Sequence, residues 1–275
     1  MSLKNIRKQI DKIDHRILNL LNERAKLVLN VKHFKKCKSK DYYVPDREVK
    51  IYNLLIKNNK GPFPNKSVKS IFKEIISASR DLQASLRVAY LNQESTFTYL
   101  ASLQHFGSSV KHIAVKSISD IFAEVESNRC DYGVMPIESS TEGVITHALD
   151  MFIDSDLRIC AEILSTEDIF NNYTRFLIIG KKYVPKTGDD KTSILFSIRD
   201  KTGVLDTMLI PFKKHGINLS NIESRPSIRK ASDYYFFIDF VGHLEDKKVA
   251  KALNELEKEC LFLKILGSYP AAIKV

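Results

Sequence analysis

Four side chains at helical spacings are the first candidates for chemistry: Arg24, Lys35, Ser79 and Gln83. Between Leu3 and Lys36 the apolar residues step by four and three, through Leu3, Ile6, Ile10, Ile13, Ile17, Leu20, Leu27 and Val31. The same stepping lands on Arg24 after Leu20 and on Lys35 after Val31. A cation on an apolar seam costs several kcal/mol in desolvation unless something negative meets it. One such residue can lay its stem along the stripe and keep its charge in water. Two on the same seam predict a pocket for an anion. A second seam, Phe72, Ile76, Ser79, Gln83 and Leu86, places neutral polar groups where the first placed cations. Together the four residues describe a polar pocket inside a helical module, which is how bundles build ligand sites.

The elements that must position them follow from the same spacing. No Gly or Pro interrupts Leu3–Lys36, so one helix of about 34 residues would run ~51 Å. A lysine run and Asp41-Tyr42-Tyr43 close it. Pro45 and a capping Asp46 predict a second helix over about 47–57. The breakers Asn58 to Pro62 separate it from a third, about 66–85. From Arg87 strand-like and helix-like pieces alternate as far as Ile179, which predicts an α/β layer with a mainly parallel sheet. Gly180 to Lys191, with Pro185 and Gly188, reads as a linker. The last stretch has the order βαββαβ, a ferredoxin-like arrangement. The domains expected are therefore 1–86, all-α; 87–180, α/β; and 191–275, ferredoxin-like.

Composition narrows the classes. The chain has 275 residues and a formal charge of +10, which suits nucleic acid or a small polyanionic substrate. No RNA-reading motif, zinc-finger spacing or Arg-rich tail accompanies the charge, so nucleic acid is not the expected partner. The four cysteines, Cys37, Cys130, Cys160 and Cys260, are scattered and offer no CxxC site. No metal and no cofactor are expected. The charged N-terminus suits neither a signal peptide nor a membrane span, so a cytoplasmic protein is expected.

These residues resemble the bifunctional chorismate mutase–prephenate dehydratase family of phenylalanine biosynthesis, across the whole chain. In the mutase part the family's residues are matched by Arg7, the pair Glu23-Arg24, Lys35, the pair Arg47-Glu48, and Ser79 with Gln83 one turn on. The resemblance implies an intertwined homodimer, or a higher homo-oligomer, in which Arg7 reaches the partner's site. It implies that Arg7 and Arg24 hold the two carboxylates of chorismate. Lys35 and Gln83 would donate to its ether oxygen, Glu48 would accept from its ring hydroxyl, and Ser79 would support a carboxylate.

In the middle part, Asp131 to Ser140 (DYGVMPIESS) and Asn172 to Phe176 (NYTRF) are similar to the family's dehydratase runs. By resemblance Thr174, Arg175 and Glu138 are dehydratase residues. The family has a second lobe between the positions of Glu162 and Asn172, where this chain has only Ile163–Asn171. A single lobe leaves an open face, so a mutase is expected, with a fully bifunctional enzyme and a non-catalytic phenylalanine-binding regulatory protein as the alternatives. The last part resembles an ACT domain, with Asp200 to Leu205 (DKTGVL) and Ile217 to Pro226 (INLSNIESRP). It implies a phenylalanine site at an ACT–ACT interface, built from Gly203, Val204, Leu205, Asn218, Glu223, Ser224, Arg225 and Pro226.

Overall fold

The computed structural model describes residues 2–36, 45–91, 97–140, 143–167, 172–199, 201–226 and 233–272. These form two compact units. The first is built from the described residues of Met1–Val44, Ile51–Leu86 and Phe106–Lys111; the second takes Pro45–Lys50, Arg87–His105 and the described residues from His112 onward.

In the helical unit, α1 (Leu3–Lys36) is one unbroken helix, as the sequence expects. The helix α2 (Pro45–Asn58) begins on a proline, whose missing N–H is not needed in a first turn. Asn59 fastens the turn after it, donating to Phe63 O and to Asn65 Oδ1, both at 2.7 Å. The helix α3 (Asn65–Gln83) ends where Ala84 turns extended. Its inward residues are Ile76, Ser77, Arg80 and Gln83. The stripe of α1 is not covered in the single chain: Leu20 is 62% and Leu27 65% exposed. Each such side chain would contribute roughly 1.5–3 kcal/mol on burial.

The second unit opens with β1 (Arg87–Leu91), α4 (Phe97–Phe106), β2 (Lys111–Val115), α5 (Ile118–Glu126), β3 (Tyr132–Ser139) and β4 (Gly143–Val144). It continues through α6 (Thr146–Asp154), β5 (Arg158–Glu167) and β6 (Asn172–Gly180). The strand order is β2-β1-β3-β6-β5, with β4 beside β3. The sheet is mixed, which corrects the expectation of a mainly parallel one. Only β1–β3 among the described registers is parallel, and β6 runs antiparallel to both β3 and β5. The reason is local: only residues 168–171 separate β5 from β6, and so short a connection returns the chain antiparallel.

The C-terminal part has β7 (Asp190–Arg199), α7 (Val204–Lys214), β8 (Leu219–Pro226), β9 (Asp233–Val241), α8 (Lys247–Glu257) and β10 (Phe262–Pro270). This is the expected βαββαβ order, with the strands arranged β10-β7-β9-β8. Alternation gives its sheet two apolar faces. Phe196, Ile238 and Phe240 pack with Met208, Phe212 and Leu253 of the helices. On the other side, Leu195, Phe237 and Tyr269 join Met135, Phe152 and Leu177 of the α/β part. The two parts therefore share one core.

Charge is buried in that joint. Arg175 on β6 meets Glu162 of β5 at 3.0 Å and Asp239 of β9 at 2.6 Å. Lys191 reaches Glu162 at 2.8 Å, and the Ala272 amide donates to the same carboxylate at 2.9 Å. Ser193 donates to Asp239 at 2.5 Å. The edges of the two sheets meet closely: a Cβ on Gly267 would lie 2.2 Å from the Ile159 carbonyl oxygen, so only glycine fits there. Burial pushes the nearby Cys160 thiol up to about 12, so it stays protonated.

Burial alone would raise the Glu162 carboxyl, but Arg175 and Lys191 outweigh it and hold the group below its ordinary range. Its contribution to stability is present above the unfolded carboxylate pKa, about 4.3, and is lost as pH falls through the lower folded value. Glu162→Gln should therefore destabilise the second unit by about 3 kcal/mol at pH 7. The deficit should shrink as the pH is lowered through 4 toward 3, read as urea midpoints across a pH series. A deficit that stays constant with pH would contradict this account of the joint.

Candidate functional site

The first candidate site lies on the facing sides of α1 and α3. Arg24, half-buried on α1, donates through Nη1 to Ser79 Oγ on α3. Ser79 in turn donates to Ile75 O at 2.6 Å, the back-bond a serine makes within a helix. Gln83, one turn further on, is buried and donates from Nε2 to Val28 O of α1 at 3.0 Å. Burial pulls Arg24 below its ordinary pKa, and an arginine so shifted remains a cation at neutral pH. The arrangement supplies one fixed cation, one hydroxyl, and an amide with a second N–H to offer.

The structure thus brings Arg24, Ser79 and Gln83 together. Arg7 is on the same helix but 17 residues earlier, about 25 Å away along the axis, and exposed. It cannot reach the Arg24 of its own chain. Lys35 stands in the last turn of α1, and its side chain lies outside the described residues. Glu48 is half-buried in the first turn of α2, in the part of that helix that groups with the second unit.

The residues that the resemblance gives to the dehydratase sit on β3 and β6. Thr174 is half-buried and in register with Ser139 of β3 and Ser165 of β5. Glu138 accepts from the Tyr173 hydroxyl at 2.7 Å. Arg175 is turned into the joint between the sheets, with both its carboxylate partners beside it. Burial by itself would lower its pKa, and Asp239, Tyr269 and Glu162 more than reverse that. A cavity of about 20 Å³ lies beside it, lined by Glu138, Asn221 and Asp239 among others. That volume holds about one water molecule and no substrate.

On β8 the run Glu223 to Pro226 divides between the two faces of the sheet. Ser224 pairs with Phe236, on the helix side, while Glu223 and Arg225 pair with Phe237 and Tyr235, on the α/β side. Arg225 accordingly reaches Asp150 of α6 at 3.0 Å, with its Nη1 buried and without a hydrogen-bond partner. Gly203 adopts φ +78° just ahead of Val204 and Leu205, the first residues of α7. Asn218 is exposed before β8, its carbonyl accepting from Val241 N at 2.9 Å. Asp200 lies outside the described residues.

The sequence reading missed Asp150 and Asp239. Asp239 had a signal: one carboxylate within the apolar strand Tyr234 to Val241 demands a cation opposite. Asp150, on an amphipathic helix, had none.

Residues 6–84 match the chorismate mutase type II family, 88–166 prephenate dehydratase and 192–258 the ACT domain. The chain is 37% identical to the bifunctional chorismate mutase/prephenate dehydratase of Aquifex aeolicus (strain VF5), over 98% of each chain. It is 34% identical to the protein so named from Pseudomonas aeruginosa, again over 98% of each. Among solved structures it is similar to prephenate dehydratase from Streptococcus mutans, with 31% identity and TM-score 0.61, over 69% of this chain and 100% of that one. Fold and matches define a fused enzyme chain with chorismate mutase, prephenate dehydratase and ACT parts. The 356 positions aligned with the Aquifex protein outnumber the 275 residues here, and the dehydratase match stops at the end of β5. The chain belongs to the bifunctional chorismate mutase/prephenate dehydratase family.

The Arg24–Ser79 contact has a measurable consequence. Ser79→Ala leaves a half-buried guanidinium short of one acceptor and should lower the stability of the helical unit by about 1–3 kcal/mol. Denaturant titration followed by far-ultraviolet circular dichroism would show it; a change below a few tenths would mean that the contact carries no weight.

Proposed function

We propose that this chain is a chorismate mutase that rearranges chorismate to prephenate, in a site shared between two copies of the chain. The observation that carries the reading is Arg24 held by Ser79 beside the Gln83 amide, in a chain of this family. The rearrangement is unimolecular and asks for no general acid, nucleophile or metal. It asks for a folded substrate and for donors aimed at the charge that grows on the ether oxygen.

Arg24 binds one carboxylate by charge-assisted hydrogen bonds, with Ser79 fixing its guanidinium. Arg7 of the second copy takes the other carboxylate. The second N–H of Gln83 and the Lys35 ammonium serve the ether oxygen, and Glu48 accepts from the ring hydroxyl. The uncovered apolar stripe of α1 and the 25 Å between Arg7 and Arg24 both favour the homodimer. Lys35→Ala should lower kcat about 10²–10³-fold with the fold retained. Mixing Arg7→Ala with Arg24→Ala chains tests the shared site. Half the dimers would then be mixed and hold one intact site of two, which restores about a quarter of wild-type turnover. No recovery on mixing would sink the shared site.

The alternative is the fully bifunctional activity, which the prephenate dehydratase match and the relatives' names support; we favour a mutase with little dehydratase turnover. Thr174 and Glu138 stand on a single sheet, and Arg175 is committed to Glu162 and Asp239. Phenylpyruvate formed from prephenate at an enzymatic rate would overturn that.

The ACT part is a phenylalanine sensor that pairs with its copy along the edge strand β8. Gly203, Val204 and Leu205 supply the turn and helix start, and Asn218 with Glu223, Ser224, Arg225 and Pro226 supply the strand side. Arg225→Ala should weaken phenylalanine binding at least about tenfold by calorimetry, since it removes the buried guanidinium and its tie to Asp150. Unchanged affinity would remove Arg225 from the sensor. The working compartment is the cytoplasm; no helix of the described residues is long and apolar enough to cross a membrane.

A further inference from the structure

The segment Phe106–Lys111 joins α4 to β2 in chain order, yet it belongs to the helical unit. It runs against α3 and is held there residue by residue. Arg80 Nη2 donates to Phe106 O at 2.9 Å, with the guanidinium 5.9 Å from the Phe106 ring centre. Ser108 gives both its backbone N–H and its hydroxyl to Glu74 Oε2, at 3.1 and 2.6 Å. Ser109 N donates to Ser77 Oγ at 3.3 Å, and Lys111 N to Leu86 O at 2.9 Å. Gly107 has φ +79°, and a Cβ there would lie 2.5 Å from the Ser77 Cβ. Only glycine permits so close an approach.

The placement on α3 matters. At about 100° per residue, Glu74 and Ser77 fall on the side of α3 away from Ser79 and Gln83, with Arg80 on the flank between. The helix is therefore gripped from two directions. Ser79 and Gln83 bind it to α1, and the 106–111 segment holds its back. A helix held on one side only can roll about its axis, and a roll that moves the Gln83 amide by about 1 Å is enough to cost roughly a hundredfold in rate.

We propose that the 106–111 segment is a brace for the mutase site, and that Glu74, Ser77 and Arg80 are positioning residues for the rearrangement. They act through α3 on Ser79 and Gln83 and touch no substrate. The mutase therefore draws on residues beyond its own three helices, from a segment that chain order gives to the dehydratase part. The inference rests on the mutase reading.

The test uses the full-length chain and the chorismate-to-prephenate assay, run well below the melting temperature of each variant. Glu74→Ala removes an exposed side chain and both Ser108 bonds without touching a core. It should lower kcat about tenfold and raise KM by no more than about threefold, because Arg24 itself stays on α1 while only its Ser79 partner shifts. Arg80→Met should lower kcat further, and Arg80→Lys should recover part of the loss. Circular dichroism and the oligomeric state should match wild type. A role in stability alone would lower the melting temperature and leave kcat as it was, and that result from Glu74→Ala overturns the brace. If Arg80→Met fails to fold, Glu74→Ala decides alone. A wild-type chain that leaves chorismate unchanged overturns the mutase reading itself, and the brace with it; an active wild type with unaffected variants overturns the brace only.

Discussion

Arg175 lies buried between two sheets with a carboxylate from each. Glu162 belongs to the α/β sheet and Asp239 to the ACT sheet, so the guanidinium cannot be satisfied unless the two are docked. With Lys191 the cluster holds two cations and two carboxylates, which is the condition under which buried charge stops being a liability. The pairing selects geometry more than it adds stability, because a shift of either sheet would strand a charge in the dark. Gly267 against Ile159 shows how little room the docking leaves. The second tie across the joint is of another kind. Arg225 and Asp150 are each only about three-quarters buried, so their pair is screened and weaker. The joint thus has a fixed end at Arg175 and a yielding end at β8, and the residues expected to sense an effector are at the yielding end.

How much of this the sequence discloses depends on whether a contact leaves a periodic trace. The length of α1 and the misplaced Arg24 could be read from spacing alone. So could Ser79 and Gln83, one turn apart on a second seam, and the βαββαβ order at the C-terminus. The direction of β6 could not, because an apolar strand looks alike in either sense and only the short 168–171 connection constrains it. Arg175 was legible as a distinctive residue but not as a buried one, since Asp239 is 64 positions away and on another sheet. The grip of 106–111 on α3 was invisible for a related reason. Its residues, Phe-Gly-Ser-Ser-Val-Lys, read as a plain turn, and what they do is set by a helix more than twenty positions earlier.

In the proposed dimer the long first helix links association to catalysis through its length. A rise of 1.5 Å per residue puts Arg7 and Arg24 about 25 Å apart, farther than two arginine side chains can close upon one small dianion. A second copy laid antiparallel along the same apolar stripe, as the proposal has it, would meet two needs together. It covers the aliphatic side chains that water disfavours, and it carries its own Arg7 toward the first chain's Arg24. In the proposed dimer the hydrophobic pattern and the cation pattern ask for the same geometry, with α3 as the wall of the site.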